Sequence, residues 1–144
     1  MSDVFQAIFD QLAKQAKMTR FEGKGIITLG ELIDKLGTES HSSPVKVQWW
    51  STLTNYGAVD SYRGYYSDLA IDNGDDREWT VAEVLADLNA ADGKTFEGYK
   101  GGDYRMSGDT LVWVSGYGEY TGVGATGVEF IEGTVVITSA DCEN

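Results

Sequence analysis

The sequence predicts an α+β fold in a single domain, with a mainly antiparallel sheet and two or three helices. Two segments carry helix-capping signals followed by apolar residues at helical spacing, and other segments alternate or turn apolar as strands do. The predicted order is helix, helix, strands, helix, strands, which favours an antiparallel sheet. A length of 144 residues with 42% hydrophobic content suits one packed core.

The N-terminal residues predict an amphipathic helix from Ser2 to about Thr19. Ser2 is a suitable N-cap, and one apolar stripe at helical spacing contains Val4, Phe5, Ile8, Phe9 and Leu12. The loop that follows contains two glycines, so the helix either packs on its own domain or acts as an arm that docks on another subunit. We therefore divide the chain into an N-terminal helix or arm, 1–24, and a single α+β domain, 25–144.

Two further helices are predicted by capping boxes. Thr28 precedes Glu31 by three residues, and Thr80 precedes Glu83 by the same spacing, so each pair can satisfy free amide groups at a helix start. The similarity of the two segments raises the hypothesis of two related halves. The apolar stripes behind the boxes are Leu29, Leu32, Ile33 and Leu36 in the first helix, and Val81, Val84, Leu85 and Leu88 in the second.

Strands are predicted between and after these helices. A closing hairpin has its turn near Glu132 and Gly133, and the glycine-rich stretch 116–127 is expected to be a loop. The predicted strand segments are 45–50, 65–71, 109–116 and the hairpin 127–139.

The chain is strongly acidic, with a formal net charge of −12. Residues 1–24 hold four of the 11 cations and three of the 23 acids, so the remainder carries 7 cations and 20 acids. Such a surface repels nucleic-acid backbones and anionic membranes, so neither direct DNA binding nor membrane attachment is expected. The charge favours solubility, and it also suits a basic partner or a decoy that imitates nucleic acid.

Residue types that carry common catalytic chemistry are scarce. His41 is the single histidine and Cys142 the single cysteine, so neither a Ser-His-Asp set nor a zinc site is predicted. The glycine-rich segments lack the spacing of phosphate-binding loops. We expect a protein that is not an enzyme and has no cofactor. One cysteine, no signal peptide and no apolar stretch near 18 residues favour a reducing, intracellular setting.

Two segments share the order tyrosine, cation, glycine: Tyr62-Arg63-Gly64 and Tyr99-Lys100-Gly101. Tyrosine rings stack on bases, cations hold phosphates, and glycines let a ligand approach the backbone. A structural alternative is that the tyrosines straddle a sheet while Arg63 pairs with Asp60 or Asp68. The candidate ligand-binding residues are Tyr62, Arg63, Tyr65, Tyr66, Tyr99, Lys100, Tyr104 and Arg105.

From Ile27 to Val114 the chain resembles a family of small proteins encoded by bacteriophages and prophages. The resemblance lies in Ser61-Tyr62-Arg63-Gly64-Tyr65-Tyr66 and in Gly98-Tyr99-Lys100-Gly101-Gly102, with Tyr104 and Met106 after it. It implies expression in the host bacterial cytoplasm and an accessory, anti-defence role. One form is an oligomeric sponge that sequesters a nucleotide-derived signal. The other is an acidic inhibitor that blocks a host defence protein, as many anti-CRISPR proteins do.

Overall fold

Two helices and nine strands make up the part of the chain that the structure, a computed structural model, describes: residues 25–63, 65–74, 77–98, 101–115 and 121–141, with Tyr65 and Asn73 described by their backbone alone. The predicted N-terminal helix lies outside these residues. The helices are α1 (Leu29–Gly37) and α2 (Val81–Ala91). The strands are β1 (Pro44–Trp49), β2 (Thr52–Tyr62), β3 (Tyr65–Asn73), β4 (Trp79–Thr80), β5 (Thr95–Glu97), β6 (Asp103–Arg105), β7 (Val112–Ser115), β8 (Val123–Ile131) and β9 (Thr134–Asp141).

Six of the strands form a closed ring in the order β2, β3, β7, β8, β9, β1, because β1 also pairs with β2. Strand β4 adds to the ring beside Pro44 and Val45, and β5 and β6 form a separate two-stranded ribbon. The α+β class is confirmed. Most strand pairs in the ring are antiparallel, as expected, but the sheet is mixed rather than purely antiparallel, since β3 pairs with β7, and β9 with β1, in parallel.

The ring consists of two halves with the same plan. Each half is a helix followed by three antiparallel strands, α1-β1-β2-β3 and α2-β7-β8-β9, and the two parallel pairs join the halves. Both middle strands contain a register shift, between Gly57 and Val59 in β2 and between Ala125 and Gly127 in β8. The sequence hypothesis of two related halves therefore has a structural counterpart. Only the second half carries the ribbon β5–β6, between its helix and its first strand.

The first residue of each helix forms a backbone hydrogen bond to the other half. The amide of Leu29 donates to the carbonyl of Thr110 at 2.7 Å, just before β7, and the amide of Val81 donates to the carbonyl of Ser43 at 3.0 Å, just before β1. These bonds satisfy amides that a helix start leaves without partners inside the helix. The two helix starts thereby add hydrogen bonds between the halves beside the strand pairs.

Both predicted capping boxes are confirmed. The Glu31 amide donates to Thr28 Oγ1 at 3.1 Å and the Thr28 amide to Glu31 Oε1 at 3.0 Å; Thr80 and Glu83 repeat the arrangement. The Thr80 amide, together with Arg77, holds the pKa of Glu83 below its usual value. The predicted apolar stripes face the interior. They join the strands in one core cluster that includes Leu29, Leu32, Leu36, Val84 and Leu88 from the helices, and Val45, Val47, Leu69, Ile71, Val112, Val114, Val135 and Ile137 from the ring.

Two strand predictions were wrong. Strand β2 was missed because its register shift interrupts the alternation by which strands are recognised. Val123–Gly127, expected to be loop, is the first half of β8. Gly124 in this segment lies directly opposite Trp113 in the β7–β8 pair. The predicted hairpin turn at Glu132 and Gly133 is confirmed, and both residues have positive φ.

Helix α2 is hydrogen-bonded to β2 at the register shift. The hydroxyl of Tyr56, fully buried, donates to Asp87 Oδ2 at 2.6 Å, and the Val59 amide donates to the same oxygen at 3.1 Å. Burial raises the pKa of the Tyr56 hydroxyl well above its ordinary value, and the Asp87 carboxylate raises it further. At the register shift in β2 the Val59 amide thus donates a hydrogen bond to the Asp87 side chain of the helix.

We predict that Tyr56→Phe changes how stability depends on alkaline pH. The folded chain holds the hydroxyl proton more tightly than the unfolded chain, so this stabilisation is complete below about pH 10 and is lost as the pH rises above it. The variant should be less stable near neutral pH by about 1–2 kcal/mol, because the bond to Asp87 is lost. Its stability should then fall less steeply than that of the parent protein above pH 10. Urea unfolding across this range measures both effects, and parallel curves would contradict the assignment.

We also predict opposite effects for two glycine substitutions. A Cβ at Gly74 would press into the carbonyl of Tyr56 and stand 2.7 Å from the oxygen of Asn55, so Gly74→Ala should lower the free energy of unfolding by about 1–3 kcal/mol. Gly37 lies at the end of α1 with nothing within 4 Å of such a Cβ. Gly37→Ala should raise the free energy of unfolding by up to about 1 kcal/mol. Thermal unfolding of both variants checks the pair; equal shifts would count against this packing.

Candidate functional site

Two tyrosines that closely follow the tyrosine–cation–glycine segments meet in space. Tyr66 in β3 and Tyr104 in β6 lie with ring centroids 5.6 Å apart and ring planes tilted by 46°. Gly98 lies against both rings: a Cβ there would stand 2.8 Å from Tyr104 Cε2 and 3.3 Å from Tyr66 Cγ. The buried glycine is therefore needed for the close approach of the two rings.

The strand alternation of the ribbon β5–β6 determines which of its side chains reach the Tyr66–Tyr104 contact. Phe96 pairs with Tyr104, and both face the core, whereas their neighbours along each strand are exposed. Arg105, expected to hold a phosphate beside Tyr104, therefore points to the other face, since side chains alternate along a strand. Its guanidinium lies beside Gly93, with Nη2 3.8 Å from where a Cβ of that glycine would stand.

The glycine-rich turn of the ribbon uses its own amide groups. The Gly98 amide donates to the carbonyl of Gly102, and the Gly101 amide to the carbonyl of Gly98, both at 2.9 Å. Gly101 and Gly102 have positive φ, which suits glycine. These two amides therefore close the turn and are engaged within the protein. Tyr99 and Lys100, predicted to contact the ligand, lie outside the described residues.

Tyr62 is part of the packed interior, which corrects its assignment as a ligand-stacking residue. Its side chain is fully buried, and its ring stacks on Trp113 at 4.8 Å between centroids, with 13° between the planes. Its hydroxyl accepts hydrogen bonds from the amides of Thr121 at 2.8 Å and Gly122 at 2.9 Å. No face of this ring is open to a ligand.

The indole of Trp113 is held from its other end by Asp68. Its Nε1 donates to Asp68 Oδ2 at 3.0 Å. Partial burial raises the pKa of this carboxyl, and the bond from the indole works in the opposite direction. Asp68, considered as a partner for Arg63, is therefore engaged with the tryptophan.

Arg63 lies half-buried in the turn between β2 and β3, where it interacts with neighbouring groups of the protein. The structure thus brings together Tyr66 and Tyr104, with Arg63 in the adjoining turn. It places Tyr62 in the interior and Arg105 on the opposite face of the ribbon. The side chain of Tyr65 lies outside the described part.

A cavity of about 340 Å³ lies at the C-terminal end of β1, and the sequence analysis did not predict it. It is formed where the β1–β2 turn approaches the end of β9, and its lining includes Gln48, Trp50, Ser51, Val123, Ser139 and Asp141. The sequence feature that could have indicated this cavity is Trp50, a tryptophan in the β1–β2 turn. It was assigned to the strand because Trp49 and Trp50 extend an alternating segment.

Other kinds of site find no support in the described residues. No group of three or more His, Cys, Asp or Glu side chains there is placed to hold a metal ion. Neither described helix has the length and apolar character needed to cross a bilayer. Comparison of the chain with protein-family models, with curated proteins and with solved structures finds no match.

We predict that Tyr62→Phe destabilises the protein locally and measurably. The variant keeps the ring stacked on Trp113 but leaves the amides of Thr121 and Gly122 without their acceptor, which should cost about 1–3 kcal/mol. Hydrogen exchange should accelerate at these two amides more than at amides of β9. Unchanged exchange at both would show that the hydroxyl does not hold this segment.

Proposed function

We propose that this is a non-catalytic, phage-encoded accessory protein that sequesters a nucleotide-derived signalling molecule in the host bacterial cytoplasm. The ligand would bind where β3 meets the ribbon β5–β6, at Tyr66 and Tyr104. The observation that carries this proposal is the meeting of Tyr66 and Tyr104, which shortly follow the two segments with the order tyrosine, cation, glycine. The sequence resemblance to phage proteins supports the setting.

The chemistry of this surface fits a base-bearing anion. Each half-buried tyrosine ring can stack on a base, an interaction worth about 1–3 kcal/mol. Arg63 supplies a guanidinium that can hold a phosphate through two parallel hydrogen bonds. Because Tyr62 is buried and Arg105 lies on the other face of the ribbon, neither belongs to the proposed contact set. Lys100 retains its predicted role as a second cation.

The internal repeat supports this location. The six-stranded ring closes without the ribbon, and the first half has no equivalent of it. Ring closure therefore does not explain why this insertion carries a tyrosine and a run of glycines. A homo-oligomer, which the sponge hypothesis includes, would present several copies of the site.

A second candidate function is inhibition of a basic host defence protein through the acidic surface. Two of the cations in the described part are paired with acids: Arg77 Nη1 lies 2.6 Å from Glu83 Oε2, and Lys46 Nζ lies 3.4 Å from Glu78 Oε2. Such pairs offset few of the 20 acids that follow residue 24. The remaining charge suits a partner whose binding surface is positive.

The proposal predicts that the purified protein carries or binds a nucleotide. Mass spectrometry of molecules released by heating should identify it, and calorimetry with cyclic dinucleotides and ADP-ribose derivatives should measure its affinity. Tyr104→Ala and Arg63→Ala should each weaken binding about tenfold or more. Arg105→Ala is the matched control, since it removes the same charge from the opposite face, and it should change affinity little.

Two outcomes would decide against the proposal. One is the absence of any released or bound nucleotide from protein whose circular dichroism and unfolding are normal. The other is an Arg105→Ala effect equal to that of Arg63→Ala, which would indicate a general charge effect. If no nucleotide binds and the protein captures a basic host protein, the inhibitor function is favoured instead.

A further inference from the structure

We propose that the cavity beside Trp50 is a binding site for an organic cation, a guanidinium or an alkylammonium group. This site is separate from the Tyr66–Tyr104 surface and does not depend on the function proposed for it. The proposal rests on a strained, exposed tryptophan, a prearranged floor and the charge around the cavity.

Trp50 occupies a backbone conformation that a tryptophan rarely adopts. It is the first of two turn residues between Trp49 and Thr52, which pair directly, and its φ is +55°. Hairpin turns with a positive φ at this position normally use glycine or asparagine. The indole is 52% exposed, so burial does not repay the strain. An unfavourable backbone that displays an aromatic ring at a cavity is typical of a functional position.

The floor of the cavity contains Gln48 and Ser139, and the side chain of each is hydrogen-bonded to the backbone of the other. The Ser139 amide donates to Gln48 Oε1 at 2.8 Å, and the Ser139 hydroxyl donates to the Gln48 carbonyl at 2.6 Å. Gln48 Nε2 also lies 3.4 Å from the Trp50 carbonyl, at the long end of hydrogen-bond distances. Both floor residues are buried, and they join β1 to β9 directly below the turn. The cavity therefore has its shape before a ligand arrives, which lowers the entropic cost of binding.

The charge around the cavity selects the sign of the ligand. Asp141 is one of the lining residues and also interacts with another group of the protein, and none of the described lining residues is Lys, Arg or His. Tryptophan is the aromatic side chain that attracts cations most strongly. The net charge of −12 adds a long-range electrostatic field that also attracts cations. A flat cation can therefore lie over the indole with its charge toward Asp141, whereas the described lining of the cavity offers an anion no cationic side chain.

The cation could be a free small molecule or the arginine or lysine side chain of a basic protein. Calorimetry and indole N–H shifts in NMR, at low ionic strength, would compare agmatine, choline, the uncharged carbon isostere of choline and an arginine-rich peptide. Agmatine or choline should bind and the isostere should not. Tighter binding of the peptide than of agmatine would identify a protein side chain as the source, and the reverse would identify a small molecule.

Trp50→Asn separates a binding role from a structural one. Asparagine tolerates positive φ, so the variant should unfold at the same or a higher temperature than the parent protein. It should nevertheless bind the cation at least about tenfold more weakly, because the indole is gone. Asp141→Asn should also weaken binding and reduce its dependence on salt.

Two controls complete the experiment. Phe130→Ala removes another exposed large apolar side chain of the described part, 54% exposed on β8, and should leave cation affinity unchanged. Tyr104→Ala tests independence from the nucleotide site and should also leave it unchanged. The proposal is overturned if no cation binds, if the uncharged isostere binds equally well, or if Trp50→Asn retains full affinity. It is equally overturned if Trp50→Asn loses binding only because it unfolds.

Discussion

The double pairing of β1 is the constraint on which the rest of the structure depends. This strand pairs with β9 in parallel on one side and with β2 in antiparallel on the other, and the ring closes through it. Closure removes free edges from the six strands, and it leaves a narrow interior that small and branched side chains such as Val45, Val47, Val135 and Ile137 fill. The apolar faces of both helices join this interior, so their stability is coupled to the ring.

Local signals in the sequence predicted what depends on local chemistry. Both capping boxes, the helix faces behind them and the turn at Glu132 and Gly133 were predicted correctly, since each depends on residues within a few positions. The parallel pairs could not be predicted in this way, because they join strands far apart in the chain and leave no local pattern. The register shift that hid β2 has the same character: it makes sense only once Val59 is seen to donate to Asp87 on α2.

The same limit explains the mixed outcome for the predicted ligand-binding residues. The sequence indicated where tyrosines and cations concentrate, but it did not indicate which tyrosine rings are buried in the core. Tyr62 and Tyr66 are four residues apart on joined strands, and one stacks on Trp113 while the other meets Tyr104. Arg105 follows Tyr104 directly, and strand alternation alone sends it to the opposite face. Separating these roles requires the position of the ribbon relative to the ring, which is a long-range property.

An acidic protein with sites for ligands of opposite charge raises the question of how the anion site escapes repulsion. At physiological ionic strength, charges separated by more than about 8 Å are largely screened from one another, so the net charge matters less at a given surface than its nearest groups. At the Tyr66–Tyr104 surface the proposal assigns this role to Arg63, which lies in the turn that precedes β3 and would offset a phosphate locally. At Trp50 the charged residue in the described lining of the cavity is Asp141, and the net negative charge of the chain reinforces it. The two proposed sites should therefore respond differently to salt. Cation binding should weaken steadily as salt rises, whereas nucleotide binding should change less, because added ions screen Arg63 and the repelling acids together.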